Sequence, residues 1–311
     1  MSSVAARIRR RALAAVLSAA GLALSGTTYT QDLEPRAYSA VPVGTNFALF
    51  SYVHSAGDLQ FDQTVPITDG HAKIDAYALG YSRSFGLAGR TATFALVAPY
   101  VRGDVSGVVL GTSTQAHRSA IGDVRLRFAM NFFGNPAMTP AEFAKRTPTT
   151  TAGASLVVIA PTGQYDPSRL VNVGSNRWTF KPELGVSQPL GDWFVEGMAG
   201  VWLYTDNPDF FGGQRRSQDP LWSLQLHGGY NFRPGLWLAA DVTRYSGGQS
   251  SLDGVQQSDY QRATRYGVTL SVPLARSWSA KFAWSNALGS PRVGGEFDTA
   301  SAALQYRWFD P

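Results

Sequence analysis

The chain has no cysteine, so neither disulfides nor thiolate chemistry is open to it. Charged residues are only 16% of its 311 residues, against about 25% in ordinary soluble domains. No stretch beyond the N-terminus approaches 18 uninterrupted apolar residues, which excludes a helical membrane span. Histidine is scarce, and His54, His71, His117 and His227 have no metal-ligand spacing. The Gly-containing stretches lack the strand–loop–helix setting of a phosphate cradle. No low-complexity tail or heptad segment suggests a scaffold. What is abundant is aromatic: 8 Trp, 13 Tyr and 17 Phe.

The first thirty residues read as a targeting segment. Arg7, Arg9, Arg10 and Arg11 form a basic region, Ala12 to Leu24 is apolar, and Ser25, Gly26, Thr27, Thr28 and Thr30 follow. Cleavage is expected near Thr30–Gln31, giving a signal peptide over 1–30 and one domain over 31–311. An amphipathic first helix is the alternative. Setting those four arginines aside leaves 23 basic residues against 22 acidic ones. The basic pI therefore belongs largely to the signal, and nucleic acid is not expected as a partner.

Period-two alternation recurs along the rest. In "GDVRLRFAMNF" (122–132), Asp123, Arg125, Arg127, Ala129 and Asn131 oppose Val124, Leu126, Phe128, Met130 and Phe132. In "LWSLQLHGGYNFR" (221–233), Trp222, Leu224, Leu226, Gly228, Tyr230 and Phe232 share one face. Segments 264–272 and 299–308 behave alike. Short turns are expected at 86–89, 189–192, 233–235 and 274–276. Longer polar loops are expected near 54–70, 104–118, 163–176, 205–219, 246–260 and 287–298. The connection 135–149 holds a helical turn with Thr139 as N-cap and Pro140 at N1.

Alternating short and long connections predict an all-β fold: an antiparallel transmembrane β-barrel with short periplasmic turns and long external loops. The twelve expected strands are 45–54, 71–85, 90–103, 119–134, 150–162, 177–188, 193–205, 220–232, 236–246, 260–273, 277–287 and 298–309. Twelve long strands exceed what a soluble β-sandwich commonly uses, though alternation alone does not separate the two. Trp193, Trp237, Trp278 and Trp308 fall at one membrane edge as a girdle; Trp237 shares parity with Asp241 and Thr243, so it also fits an inward position.

"DLEPRAYSAVPVGTNF" (32–47), "GDVRLRF", "ALVAPY", "APTGQYD" and "LWLAADVTRYSGG" resemble the outer-membrane transporter family of the MetA-pathway of phenol degradation, over essentially the whole mature chain. The resemblance implies a barrel, sometimes grouped with FadL-like hydrophobic-substrate channels, and uptake of aromatic or apolar compounds. It supplies no catalytic residue. The ending departs from the aromatic terminus of many outer-membrane barrels, since Asp310 and Pro311 follow Trp308 and Phe309.

With apolar rows facing lipid, the expected lumen-lining residues are Asp123, Arg125, Arg127, Arg177, Lys181, Glu183, Glu196, Trp202, Asp241, Arg265, Lys281 and Arg307. They form an internal ion-pair network, line a path, or do both. If Glu196 points inward, Phe194, Met198, Trp202 and Tyr204 make an aromatic strip able to stack a solute. Phe210, Phe211 and Tyr165 either capture solute on the loops or pack those loops. A barrel lipase would need a Ser and an oriented His on the lipid face; His227 has lumen parity, and His54, His71 and His117 lie in loops or at their edges. The expected function is a non-enzymatic outer-membrane channel of a Gram-negative bacterium, admitting small hydrophobic or aromatic molecules passively and without a cofactor or metal. Its expected partners are membrane lipid, such solutes and the barrel-insertion machinery. A closed structural barrel is the alternative, and a secreted soluble β protein a third reading.

Overall fold

A computed structural model describes residues 34–60, 67–109, 112–169, 171–288 and 294–310; the expected signal segment lies outside them. Residues with alternating polarity form a closed antiparallel barrel of twelve staves. Its strands are β1 (Thr45–Gln60), β2 (Ile67–Leu87), β3 (Arg90–Val109), β4 (Thr112–Ile121), β5 (Val124–Phe133), β6 (Thr151–Ala160), β7 (Thr179–Leu190), β8 (Trp193–Tyr204), β11 (Leu221–Arg233), β12 (Leu236–Gly247), β15 (Gln261–Pro273), β16 (Trp278–Leu288) and β17 (Gly294–Phe309). β4 and β5 together make one stave, broken at Gly122–Asp123: β3 pairs with β4 along its upper half and with β5 along its lower half. Pairing of β1 with β17, from Thr45↔Phe309 to Gln60↔Gly294, closes the wall. Asp310 clasps this seam by accepting from Asn46 Nδ2 (2.8 Å) and Arg83 (2.7 Å), which gives the polar ending a structural role.

The turn end matches the expected turns. Ala88 and Gly89 both have positive φ (49° and 73°) between β2 and β3, the backbone of a tight two-residue hairpin whose twist suits the strands. The connection after β5 carries α1 (Pro140–Lys145), capped by Thr139 and Glu142 in a reciprocal capping box.

The loop end differs from expectation. The stretches 54–70 and 104–118 are not loops for most of their length. They extend β1, β2, β3 and β4 into a tall wall, paired for example at Asp58↔His71 and Ser106↔Gln115. The reason is local: polar residues fall on both faces there, so the alternation fades although the ladder continues. Across the barrel, the strands stay short and the loops fold on themselves. β9 (Asn207–Phe210), β10 (Gln214–Gln218), β13 (Ser250–Leu252) and β14 (Val255–Gln256) form a small four-stranded sheet.

The outward face is greasy: Leu79, Leu184, Leu224, Leu226 and Phe282 are all exposed. Trp193, Trp278 and Trp308 point outward at the turn end, with Tyr306 stacked on Trp308 at 5.7 Å. Trp237 takes the inward alternative and is buried against Phe194, edge to face at 6.1 Å.

Candidate functional site: the closed lumen

The inward face is polar and filled. At the turn end the filling is the segment leading into β1. Residues 34–44 fold up into the lumen, anchored by Tyr38, which is 1% exposed. Its ring lies against the bare backbone of Gly153 on β6 and Gly185 on β7, two residues paired in register. A Cβ at Gly185 would lie 2.2 Å from Tyr38 Cδ2 and Cε2, and one at Gly153 would lie 2.8 Å from Cδ1. Only glycine leaves room for this socket.

Polar groups complete the hold. Tyr38 Oη lies 2.9 Å from Ser155 Oγ and donates toward Glu183 Oε1 at 3.1 Å. Its carbonyl accepts from Thr151 Oγ1 (2.8 Å) and Asn131 Nδ2 (3.2 Å). The Arg127 guanidinium sits 5.4 Å from the ring centroid. Two residues back, Arg36 adopts φ 70°. Its backbone N–H donates to Glu196 and its guanidinium to Asn231. The same guanidinium stacks over Phe194 (4.6 Å) and Trp237 (5.2 Å). Ser39 Oγ donates to the other Glu196 oxygen at 3.2 Å. At the end of the segment, Val43 N–H donates to Met138 O and Gly44 N–H to Ser84 O.

The expected lumen residues separate into groups. Glu183 and Glu196 hold the segment, and Arg127 backs it. Lys181 pairs with Glu183 at 2.8 Å and lies over Trp202 at 5.0 Å. Asp241 accepts from Thr269 Oγ1 at 2.8 Å and lies 2.6 Å from His227 Nδ1, both side chains fully buried. Arg265 reaches Ser285, Thr299 and the Phe297 carbonyl. Arg177 donates to Gln218 Oε1 at 2.6 Å and stacks on Tyr204 at 4.3 Å. Arg125 shares the inward parity of Arg127 on β5, and Lys281 lies 5.8 Å from the Trp237 ring centroid. Two of the expected residues stand elsewhere. Asp123 sits in the β4–β5 break, where its carboxylate accepts from the Gly163 and Ser175 backbone N–H groups (both 2.8 Å) and from Ser175 Oγ (2.6 Å). Arg307 is exposed at the turn-end rim, donating to the Arg276 carbonyl.

An aromatic and aliphatic cluster is interleaved with these polar groups, Val157 standing opposite Lys181 and Ile159 opposite Thr179. Val157, Ile159, Trp202, Leu221 and Tyr245 are buried together inside the barrel, with Tyr204 against them. Phe194 and Met198 are buried on the same face of β8. Above these, the loops come down. Val171, Phe210 and Leu252 pack on Ala72, Ile74, Val101 and Val105 of the tall wall. Tyr165 donates to the Asp209 carbonyl (3.0 Å) and accepts from Asn207 Nδ2 (2.9 Å), so Phe210 and Tyr165 pack loops here.

His54, His71 and His117 lie on strands, as expected at the loop edges for His54 and His71; His117, expected in a loop, is corrected to β4. They face outward at the loop end, each beside an aspartate: Asp75, Asp58 and Asp104, at 2.8, 2.5 and 2.7 Å. Among the described residues, no group of three or more His, Cys, Asp or Glu could hold a metal ion.

The segment that fills the turn end was hidden from sequence reasoning. The available signal was an interval of about fourteen residues between the expected cleavage point and β1, without alternation, which a closed barrel must place somewhere.

The geometry agrees with known proteins. A crystal structure of an outer membrane channel from Pseudomonas putida F1 superposes with a TM-score of 0.77 at 24% identity, covering 89% of this chain and 100% of that one. The translocator domain of the autotransporter NalP from Neisseria meningitidis gives a TM-score of 0.53 at 11% identity, covering 94% and 99%. The deltaS2 mutant of the TodX monoaromatic hydrocarbon channel gives 0.50 at 13%, covering 89% and 93%. At these identities the likeness is one of fold. No curated protein matches the chain. The family model described as "Putative MetA-pathway of phenol degradation" matches residues 54–304, nearly the whole barrel, and the chain belongs to that family.

Proposed function

We propose that the protein is an outer-membrane channel that passively admits small hydrophobic or aromatic molecules, gated at its periplasmic end by residues 34–44. The turn end is then periplasmic, the loop end external, and the signal segment is removed before insertion. The carrying observation is a cluster of rings in the middle of the lumen. Trp202, Leu221 and Tyr245 pack together there, with Lys181 and Arg177 stacked on Trp202 and Tyr204, between loops above and residues 34–44 below. An aromatic solute can stack on such rings and meet the cations that already lie over them. The segment is held mainly by side-chain contacts, with backbone bonds only at Val43 and Gly44 where it joins β1, and it has no strand pairing of its own, so its tip can leave without dismantling the barrel. No step needs a catalytic group or a cofactor. Outward apolar side chains meet membrane lipid, and the aromatic end of β17 supports recognition by the insertion machinery.

The test is uptake of a panel of aromatic and sugar solutes into liposomes containing the protein. The channel reading expects aromatic solutes to enter faster than sugars of similar size, and faster still when Tyr38 is replaced by Ala. Closure at both ends favours the second reading, a sealed structural barrel. Equal and negligible uptake by wild type and Tyr38→Ala would establish that reading in place of the first.

A further inference from the structure

The outward face at the loop end differs from one side of the barrel to the other. On the β1–β4 side each cation stands opposite a carboxylate: Arg102 is in register with Asp75, and Lys73 with Asp104. Those charges compensate one another. On the β11–β15 side the outward positions carry Arg244 and Arg262, whose strand neighbours among the described residues are uncharged. Arg244 is flanked in register by Leu224 and Thr264, and Arg262 by Ser246. Arg244 donates to Thr264 Oγ1 at 2.7 Å. Arg262 lies 5.8 Å from the Tyr260 ring centroid, and Tyr260 Oη is 3.0 Å from Ser246 Oγ. Among the described residues, neither arginine forms a salt bridge with a carboxylate.

Arg262 pairs with Ser246, two residues from Arg244 on β12, so the two arginines are diagonal neighbours. That places their backbones roughly 7–8 Å apart, a spacing at which both guanidinium groups reach one phosphate. Directly below, Leu224, Leu226, Val242 and Val268 are exposed, and Trp222, at 62% exposure, stands beside the pair with Tyr266. Uncompensated positive charge on top of a greasy wall suits an anion that carries hydrocarbon chains. It does not suit a free anion, which has no use for the wall.

We propose that Arg244 and Arg262, framed by Trp222 and Tyr260, dock the phosphorylated headgroup of a glycolipid of the external leaflet, with its acyl chains along Leu224, Leu226 and Val242. The proposal rests on the membrane placement of the barrel and is independent of what the lumen carries.

The experiment titrates the detergent-purified full-length protein with diphosphoryl lipid A, its dephosphorylated counterpart, and inorganic phosphate, counting bound lipid by native mass spectrometry. Wild type is expected to bind the diphosphoryl form at least tenfold tighter than the dephosphorylated one, and millimolar phosphate is expected not to displace it. The double variant Arg244→Gln/Arg262→Gln should lose that preference, while Lys73→Gln/Arg102→Gln should keep it. Heat-modifiable mobility on gels verifies that each variant is a folded barrel. Unchanged preference in the Arg244/Arg262 variant would overturn the site, as would equal loss in the Lys73/Arg102 control. Displacement of lipid by phosphate would overturn the glycolipid as occupant. A protein released from membranes without detergent would remove the premise itself, an outcome distinguishable from the others.

Discussion

The two ends of the barrel are closed by opposite means. At the external end, loops fold into a small sheet of their own and press apolar side chains onto the tall wall, with Val171, Phe210 and Leu252 against Ile74, Val101 and Val105. At the periplasmic end, a single stretch without secondary structure is tied by hydrogen bonds and one ring in a glycine socket. The first closure is a folded lid. Opening it exposes apolar surface at about 25 cal/mol per Å². The second is a latch whose bonds can be exchanged for water, so each is worth about 1 kcal/mol net. If the barrel admits solute as proposed, the latch is the cheaper closure to open and reclose.

The contrast can be broken most forcefully at Tyr38. Tyr38→Ala removes the buried ring and the hydrogen bonds of its hydroxyl, together about 3–5 kcal/mol of the latched state. That shifts the open-to-closed ratio by a factor of roughly 150 to 4,000. Single-channel recording should show long open dwells, with the barrel's thermal transition little changed. Gly185→Ala is expected to come next. A methyl 2.2 Å from the ring forces the socket apart at about 1–3 kcal/mol. In a Tyr38→Ala background the same change should do almost nothing, so the double-mutant cycle should be strongly non-additive; additive effects would place the glycine's role elsewhere.

On the lid, Phe210→Ser should loosen the small sheet by about 1.5–3 kcal/mol. Limited proteolysis between 205 and 219 should quicken while conductance stays at the wild-type level, because the latch remains shut. A conductance rise would mean the lid alone gates. The smallest effect is expected at α1, where Thr139→Ala removes the cap at about 1 kcal/mol of local helix stability. The Thr139 backbone N–H and hydroxyl hold the Glu142 carboxyl below the usual carboxylate range. A depressed folded pKa means that the cap is complete above the ordinary carboxylate value and is lost as pH falls through the lowered one. Amide exchange in residues 141–143 should therefore respond to acid in wild type and less so in Thr139→Ala.

The staves were legible because their two faces meet two different media. Where that difference held, as along β6 to β8 and β11 to β16, the expected limits lie within a few residues of the observed ones. Where it faded, at Asp58, Asp104 and His117, polar residues on the outer face of a continuing ladder read as loop, and at His54 and His71 they read as the strand's limit. Asp123 carried the right alternation, yet the break beside it turned its carboxylate toward the loop. The latch was illegible for another reason. Its partners, Asn131, Ser155, Glu183, Glu196 and Asn231, come from five different strands, and only closure of the barrel brings them to one segment. Gly153 and Gly185 looked like ordinary strand glycines, because nothing local marks a residue whose role is to be absent.

The seam between β1 and β17 joins the two ends of the chain residue for residue. Neither strand can complete its hydrogen bonding until the other exists, so the last stave synthesised is the one the first has been waiting for. Assembly of this wall is therefore all-or-none in time, and during that wait both edges need shelter from every other unpaired strand in the compartment.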